Sequence, residues 1–417
     1  MTLSRRALFA GAGGGLALGA AAGYGTAAAV GSDDGSATGG ELVDLTRSYD
    51  FYARSAGGHQ VGIATPQQRY CVFMTFDIVD GTVSTDLQVL FAKWSAGIAQ
   101  MMKGLPVGSV QPDRPGAVPD DTGEAYGLAP ASLTVTFGLG PGVFDDRFGL
   151  AGKKPAKLAP LPKLPSDSFE PGLTGGDLML QACADDPQVA YHAIRDLARM
   201  ARGTAHTRWT VMGFGRASAS AGQSTPRNLQ GFKDGTRNIK SGDDLDRYAW
   251  IGKDDGEVDW MTGGSYLVSR KIRMDIETWD ADDVTNQQQV IGRTKLEGAP
   301  LSGHQEFDTP DFHATADGQP KIDPKSHIAL AAHENNGGLR ILRRGYNYTD
   351  GLNDLGLLDA GLLFICFMKD PQQFITLQEK LGASDLLNEY IAHIGSAIFA
   401  VPPAPRRGHY LAQELFT

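Results

Sequence analysis

The residue in this chain best placed to do chemistry is an aspartate set between glycines and beside cationic side chains. It lies in Leu229-Gln230-Gly231-Phe232-Lys233-Asp234-Gly235-Thr236-Arg237-Asn238. Glycine lets a backbone come close to a ligand. A carboxylate held there could take a proton from a substrate lying on a flat cofactor and give it back. Asp-Gly is also a common turn dipeptide, so a polar turn is the plain alternative. Further on come Ser326-His327-Ile328 and then Arg340-Ile341-Leu342-Arg343-Arg344-Gly345-Tyr346-Asn347-Tyr348. A neutral imidazole such as that of His327 can hold a metal ion, or it can sit satisfied in a core or on the surface. Arg343 and Arg344 carry charge that does not titrate away and could stabilise an anion. Neighbours on a strand face opposite sides, so only one of the two can point into a given site.

Asp, His and Arg in this order, each in its own local pattern, resemble the dye-decolorising peroxidases, a family of haem enzymes. Further blocks carry the resemblance: Gly264-Ser265-Tyr266 through Trp279, Val290-Ile291-Gly292-Arg293, Gly298-Ala299-Pro300-Leu301-Ser302-Gly303, Glu306-Phe307-Asp308-Thr309-Pro310-Asp311-Phe312 and Gly361-Leu362-Leu363-Phe364. Each is weak alone, and their order makes them specific. The match is nearest to the branch of the family exported by the twin-arginine route.

The resemblance implies one haem b per chain with His327 as the axial ligand of its iron, a role in which imidazole leaves the opposite face open. His304, His313 and His333 are the rivals. It implies Asp234 as the acid and base that handles peroxide protons, and Arg343 rather than Arg344 as the charge beside it. Gly235, Thr236 and Arg237 would follow the macrocycle edge, with Arg237 toward a propionate. Phe364 and Leu362 would wall the distal pocket, although ordinary strand packing suits both equally well. Glu389 stands where the family offers a carboxylate to the second imidazole nitrogen, and a solvated helix-face Glu is the alternative. Family members carry an Asn-Pro-Arg-like run after the ligand, whose Arg meets a propionate. Here Ala332-His333-Glu334 occupies that stretch; Glu334 cannot make the contact, and His333 is the available substitute.

The implied activity is oxidation of dyes, phenols or similar one-electron donors, small or polymeric, by hydrogen peroxide through a ferryl intermediate. With an aspartate of reference pKa about 3.9 as the distal group, turnover should favour acid. Donors too bulky for a peroxide-sized pocket would pass electrons inward through Trp250, Trp260, Trp279 or Tyr390. A haem-handling or iron-acquisition protein, deferrochelatase-like and slow as a peroxidase, would carry the same residues. A structural protein without cofactor is the reading from outside the family. A redox partner protein or a homo-oligomer is compatible with all of these.

The elements that must position these residues repeat. Tyr70–Ile78 reads as a strand, 85–102 as an amphipathic helix, 133–139 and 178–183 as strands, 187–202 as a helix and 207–214 as a strand. The order βαββαβ returns with strand 264–274, helix 280–291, strands 339–346 and 362–368, helix 371–381 and strand 397–401. The fold class expected is α+β, two ferredoxin-like units with antiparallel sheets in tandem. The first unit spans 60–215. The second spans 216–417 together with a connector that holds Asp234, and a long connector inside a compact domain is usually functional.

Ser4-Arg5-Arg6-Ala7-Leu8-Phe9 opens a Gly/Ala-rich run ending near Ala29. It reads as a twin-arginine signal over 1–29, followed by a polar tether over 30–59, and places the protein outside the cytoplasm. The run is too short and too glycine-rich for a stable membrane span. The chain has 38 Lys+Arg and 48 Asp+Glu. Loss of Arg5 and Arg6 with the signal leaves 36 − 48 = −12, which argues against a nucleic-acid partner. Cys71, Cys183 and Cys366 are far apart and lie in predicted strands, as buried thiols rather than a disulfide framework or a zinc set.

Overall fold

The computed structural model describes residues 43–55, 57–215 and 225–417. The expected signal over 1–29 and the first part of the tether lie outside the described residues. From Val43 onward the chain lies on the body. Leu45 and Arg47 accept hydrogen bonds from the backbone of Ala131 and Ser132 at 2.8 Å, Phe51 is buried, and the His59 ring stacks on Trp250 at 3.8 Å.

The first unit runs β1 (Tyr70–Ile78), α1 (Ser84–Met101), β2 (Thr134–Leu139), β3 (Leu178–Ala184), α2 (Pro187–Met200) and β4 (Ala205–Phe214). In α1 the buried positions Leu87, Leu90, Phe91, Trp94, Ile98 and Met101 recur three and four residues apart, which lines one face with apolar side chains. α2 starts where it does because the Asp186 carboxylate accepts from the Gln188 and Val189 amides, while Pro187 occupies the first helical position. Trp94 Nε1 donates to Leu197 O at 2.8 Å and ties the two helices together.

A connector carrying α3 (Gly242–Tyr248) leads to the second unit. This is β5 (Ser265–Met274), α4 (Ile276–Ala281), α5 (Val284–Ile291), a two-residue hairpin β6 (Thr315–Ala316) and β7 (Gln319–Pro320), and α6 (His327–Ala331). It continues as β8 (Leu342–Arg343), β9 (Tyr346–Leu352), β10 (Leu358–Met368), α7 (Gln372–Ser384) and β11 (Ile391–Val401). The helix expected over 280–291 is thus two short helices. The Asp283 carboxylate caps the Thr285 and Asn286 amides and starts a new helix, and Gln287 Nε2 closes the end of the previous one on Trp279 O at 2.7 Å. The strand expected over 339–346 starts at Leu342 and runs on to Leu352. One register carries it against β10, from Phe367↔Leu342 through Leu363↔Tyr346 to Ala360↔Thr349.

Each unit has the same antiparallel strand order, β2-β3-β1-β4 in the first and β9-β10-β5-β11 in the second. The two sheets join edge to edge, β11 to β2 through Ala400↔Leu139 and β4 to β9 through Gly213↔Tyr348 and Phe214↔Asn347. The result is a closed ring of strands. Its interior packs Phe73, Trp209, Tyr346, Tyr348, Phe367 and Phe399, and the helices cover the outside. Tandem ferredoxin-like units of the α+β class are therefore what the chain builds. Cys71, Cys183 and Cys366 are buried free thiols on β1, β3 and β10.

Candidate functional site

A cavity lies on the outer face of the second unit's sheet. Ile272 and Met274 of β5 and Leu362 and Phe364 of β10 form its floor; α7 contributes Phe374, Leu377 and Leu381, and the connector supplies Phe232 through Arg237. Asp234, Gly235, Thr236, Arg237, His327, Arg343 and Phe364 all line this one cavity, as does Leu362. The sequence reading brought together residues that the fold does bring together.

Asp234 owes its place to a tight loop. Asn228 Oδ1 accepts from the amides of Gln230 and Phe232 at 3.1 and 3.2 Å, and the Asp234 amide donates to Pro226 O at 2.9 Å. Gly235 follows with φ +124°, a conformation in which a Cβ would be strained. Below the loop, buried Glu306 accepts from Lys233 Nζ at 2.5 Å, from Thr236 Oγ1 at 3.0 Å and from Thr225 Oγ1. Burial would raise the Glu306 pKa, but these donors outweigh it and hold the carboxyl below its usual range.

Arg343 stands on the strand opposite. Its Nη1 is 3.1 Å from Asp234 Oδ1, and its backbone is bracketed by one amide side chain, with Asn238 Nδ2 donating to Arg343 O at 2.7 Å and Arg343 N donating to Asn238 Oδ1 at 2.9 Å. Arg344 faces the other way, as strand alternation requires. It is buried, and its guanidinium donates to Thr65 O at 2.6 Å and to Gln68 Oε1. Arg344 therefore lies neither on the surface nor in the cavity, and its neighbours are the interior of the ring.

His327 opens α6. Its Nδ1 lies 2.7 Å from Asp385 Oδ2, while Asp385 Oδ1 accepts from the Leu387 amide at 2.9 Å. The carboxylate is thus fixed by backbone and imidazole together, which sets Nδ1 as the protonated nitrogen and turns Nε2 into an available donor atom. Burial pulls the His327 pKa down, but the Asp385 carboxylate outweighs it and the net direction is up. The His327 side chain remains 36 % exposed, toward the cavity it lines. Glu389, expected as this partner, is exposed instead, one helical turn past the residue that does the work.

Other placements differ in detail. The Arg237 guanidinium meets Glu334 with both terminal nitrogens, at 2.6 and 3.1 Å, a partner other than the one expected. His333 lines the cavity beside this pair; burial lowers its pKa, reinforced by Arg237 and Arg340 against Glu334. His304 and His313 do not line the cavity. Arg293 does, and it was not singled out in the sequence; burial and the charges of Arg237 and Arg343 push its pKa down to about 10, against the pull of Glu306. Asp385, Asn238, Glu306 and Arg293 are the functional positions that sequence reasoning missed. Asn238, Arg293 and Glu306 fall inside sequence blocks quoted above without being given a role, and Asp385 is the first of the two carboxylates in Asp385-Leu386-Leu387-Asn388-Glu389.

The cavity's chemistry suits a haem. Its walls are apolar, burial and the charges of Arg237 and Arg343 lower the pKa of the Arg293 guanidinium, and an oriented imidazole offers a free nitrogen. A flat apolar ring with carboxylates at its edge satisfies all three conditions.

Comparison with known proteins agrees. Residues 60–215 match the family model "Dyp-type peroxidase, N-terminal" and residues 225–406 match "Dyp-type peroxidase, C-terminal". The chain belongs to the Dyp-type peroxidases, haem-dependent oxidoreductases that use a peroxide and a reducing substrate. It is 37 % identical to DtpA from Streptomyces lividans, solved as an oxyferrous complex, with a TM-score of 0.83 over 90 % of this chain and 100 % of that one. It is 36 % identical to a DyP-type peroxidase from Cellulomonas bogoriensis, with a TM-score of 0.80 over 89 % and 98 % of the two chains. A curated relative from Yersinia pestis bv. Antiqua (strain Nepal516), named deferrochelatase, is 39 % identical over 99 % of this chain and 94 % of its own length.

Proposed function

We propose that this chain is an exported peroxidase that binds haem b through His327 and uses hydrogen peroxide to oxidise dyes, phenols or similar donors. The observation that carries the reading is the facing of Asp234 and Arg343, 3.1 Å apart, in the cavity that also receives His327. When bound, the haem supplies the iron and the electrons that cleave the peroxide bond. The Asp234 carboxylate takes a proton from one peroxide oxygen and returns it to the other. Arg343 offsets the negative charge that accumulates on the departing oxygen. Asp385 holds the His327 ring so that Nε2 faces the cofactor side. Arg237, Arg293 and His333, which line the cavity together, would hold the carboxylate edge.

Electrons from bulky donors enter through Tyr390 and Trp279. Their rings meet edge to face at 4.9 Å, and Trp279 meets Phe232 of the cavity wall at 5.9 Å. Trp250 and Trp260 pack elsewhere, on His59 and Phe144. Export rests on the twin-arginine pattern of Ser4-Arg5-Arg6, and among the described residues no helix is long and apolar enough to cross a membrane.

The test is peroxide-driven oxidation of an anthraquinone dye by the haem-loaded protein. Turnover well above that of free haem is expected, with Arg343→Ala reducing it about a hundred- to thousandfold and Asp234→Ala reducing it less, since water can relay the proton. The names of the curated relatives favour a second reading, a haem-handling protein of the deferrochelatase kind. Dye oxidation no faster than free haem, with tight haem retention, would select it.

A further inference from the structure

A second convergence of imidazole and carboxylates lies in the first unit, remote in the chain from every residue assigned above. Asp121, His192 and Asp196 are all buried, and one ligand atom of each lies within 4.8 Å of the others. His192 and Asp196 are one turn apart on α2 and therefore face the same side. Asp121 comes from the long loop between α1 and β2. His192 Nε2 lies 3.0 Å from Asp121 Oδ1 and 2.9 Å from Asp196 Oδ2.

One ring nitrogen carries at most one proton, so a single N–H faces two carboxylates. Asp196 is wholly buried, and its Oδ1 accepts no hydrogen bond; the Arg199 Nε is 3.7 Å away.

The carboxylates are also held from outside. Asp121 accepts from the Gly123 amide at 2.7 Å and the Val107 amide at 2.9 Å, and Asp196 Oδ2 accepts from Thr122 Oγ1 at 3.1 Å. Outer partners of this kind orient metal ligands. Ligand atoms 2.9–3.0 Å apart subtend roughly 90° at an ion about 2.1 Å from each, the angle of an octahedral site. Asp121 and His192 further line a cavity of about 450 Å³ with Met101, Leu105 and Tyr126. A water needs only about 10–15 Å³ of such space, so waters can complete the coordination.

We propose that Asp121, His192 and Asp196 bind a divalent first-row transition-metal cation, which fastens the 102–133 loop to α2. An imidazole beside two carboxylates selects the zinc or manganese type of ion over calcium, which takes six to eight oxygens. The site is independent of the haem reading.

The experiment uses the haem-loaded full chain, stripped with EDTA and titrated with ZnCl₂ by calorimetry, with metal content measured after gel filtration. One zinc per chain is expected for the wild type. His192→Gln and Asp196→Asn should each weaken it at least tenfold while leaving the Soret band unchanged. Zinc should also raise the melting temperature of the wild type alone and slow proteolysis within 102–133. Absence of stoichiometric zinc in the wild type would overturn the proposal, as would variants with an intact Soret band that bind zinc equally well. CaCl₂ binding as tightly as ZnCl₂ would overturn the choice of metal class. Should one variant fail to fold, the wild-type titration and the other variant still decide.

Discussion

The two halves of this molecule share a topology and put it to opposite uses. In the first unit the space between sheet and helices is filled by aromatic rings, with Phe76 against Trp94 at 5.5 Å and Phe91 against Phe137 at 4.9 Å. In the second, the matching face of β5 and β10 carries Ile272, Met274, Leu362 and Phe364, which floor a cavity. The 18-residue helix α1 has as its counterpart two helices of 6 and 8 residues, and the long segment between these and β8 carries His327. One copy keeps its core and stabilises the ring, while the other gives up core volume for a cofactor.

The largest test of this contrast is His327→Ala. It should abolish haem retention in the second unit, whereas His333→Ala, His304→Ala and His313→Ala should keep the Soret band; a normally loaded His327 variant would break the contrast at its centre. Next comes packing. Trp94→Ala should cost about 3–5 kcal/mol of unfolding free energy, as large-to-small changes in filled cores do. Leu362→Ala, beside an existing cavity, should cost clearly less, and urea melts of the haem-free protein compare the two. Asp385→Asn should weaken haem affinity about 10–100-fold, the usual effect of removing an outer partner of a metal ligand. Glu389→Gln should leave it unchanged, since that side chain is exposed. The smallest measurable change is expected from Glu334→Gln. It frees Arg237 from an exposed ion pair, and such pairs contribute about 0–1 kcal/mol; haem affinity should rise slightly, which a competitive titration against apomyoglobin would measure.

Much of this was legible in the sequence because local pattern carries it. Strand β1 was readable to the residue from its apolar run; alternation required that only one of Arg343 and Arg344 face the site, and the family resemblance chose Arg343. What stayed hidden depends on contacts across the chain. Asp385 meets His327 from 58 residues away, and nothing local separates it from Glu389. Asn238 acts by clasping a strand 105 residues on, and Glu306 acts by gathering donors from the connector. The split of α4 from α5 hinged on whether Asp282 and Asp283 continue a helix or cap one, a balance in which Asp favours the cap.

The strand ring closes through very few rungs: a single pair, Leu139 with Ala400, on one side and two pairs on the other, against ten pairs between β5 and β11, interrupted by one register shift between His393 and Gly395. A sheet without free edges offers no template for intermolecular strand addition, yet here that protection is unevenly shared. Thermal opening should begin along these two seams, exposing strand edges of both copies at once. The amides nearest Leu139, Gly213 and Phe214 are therefore the places where the molecule's resistance to aggregation is thinnest.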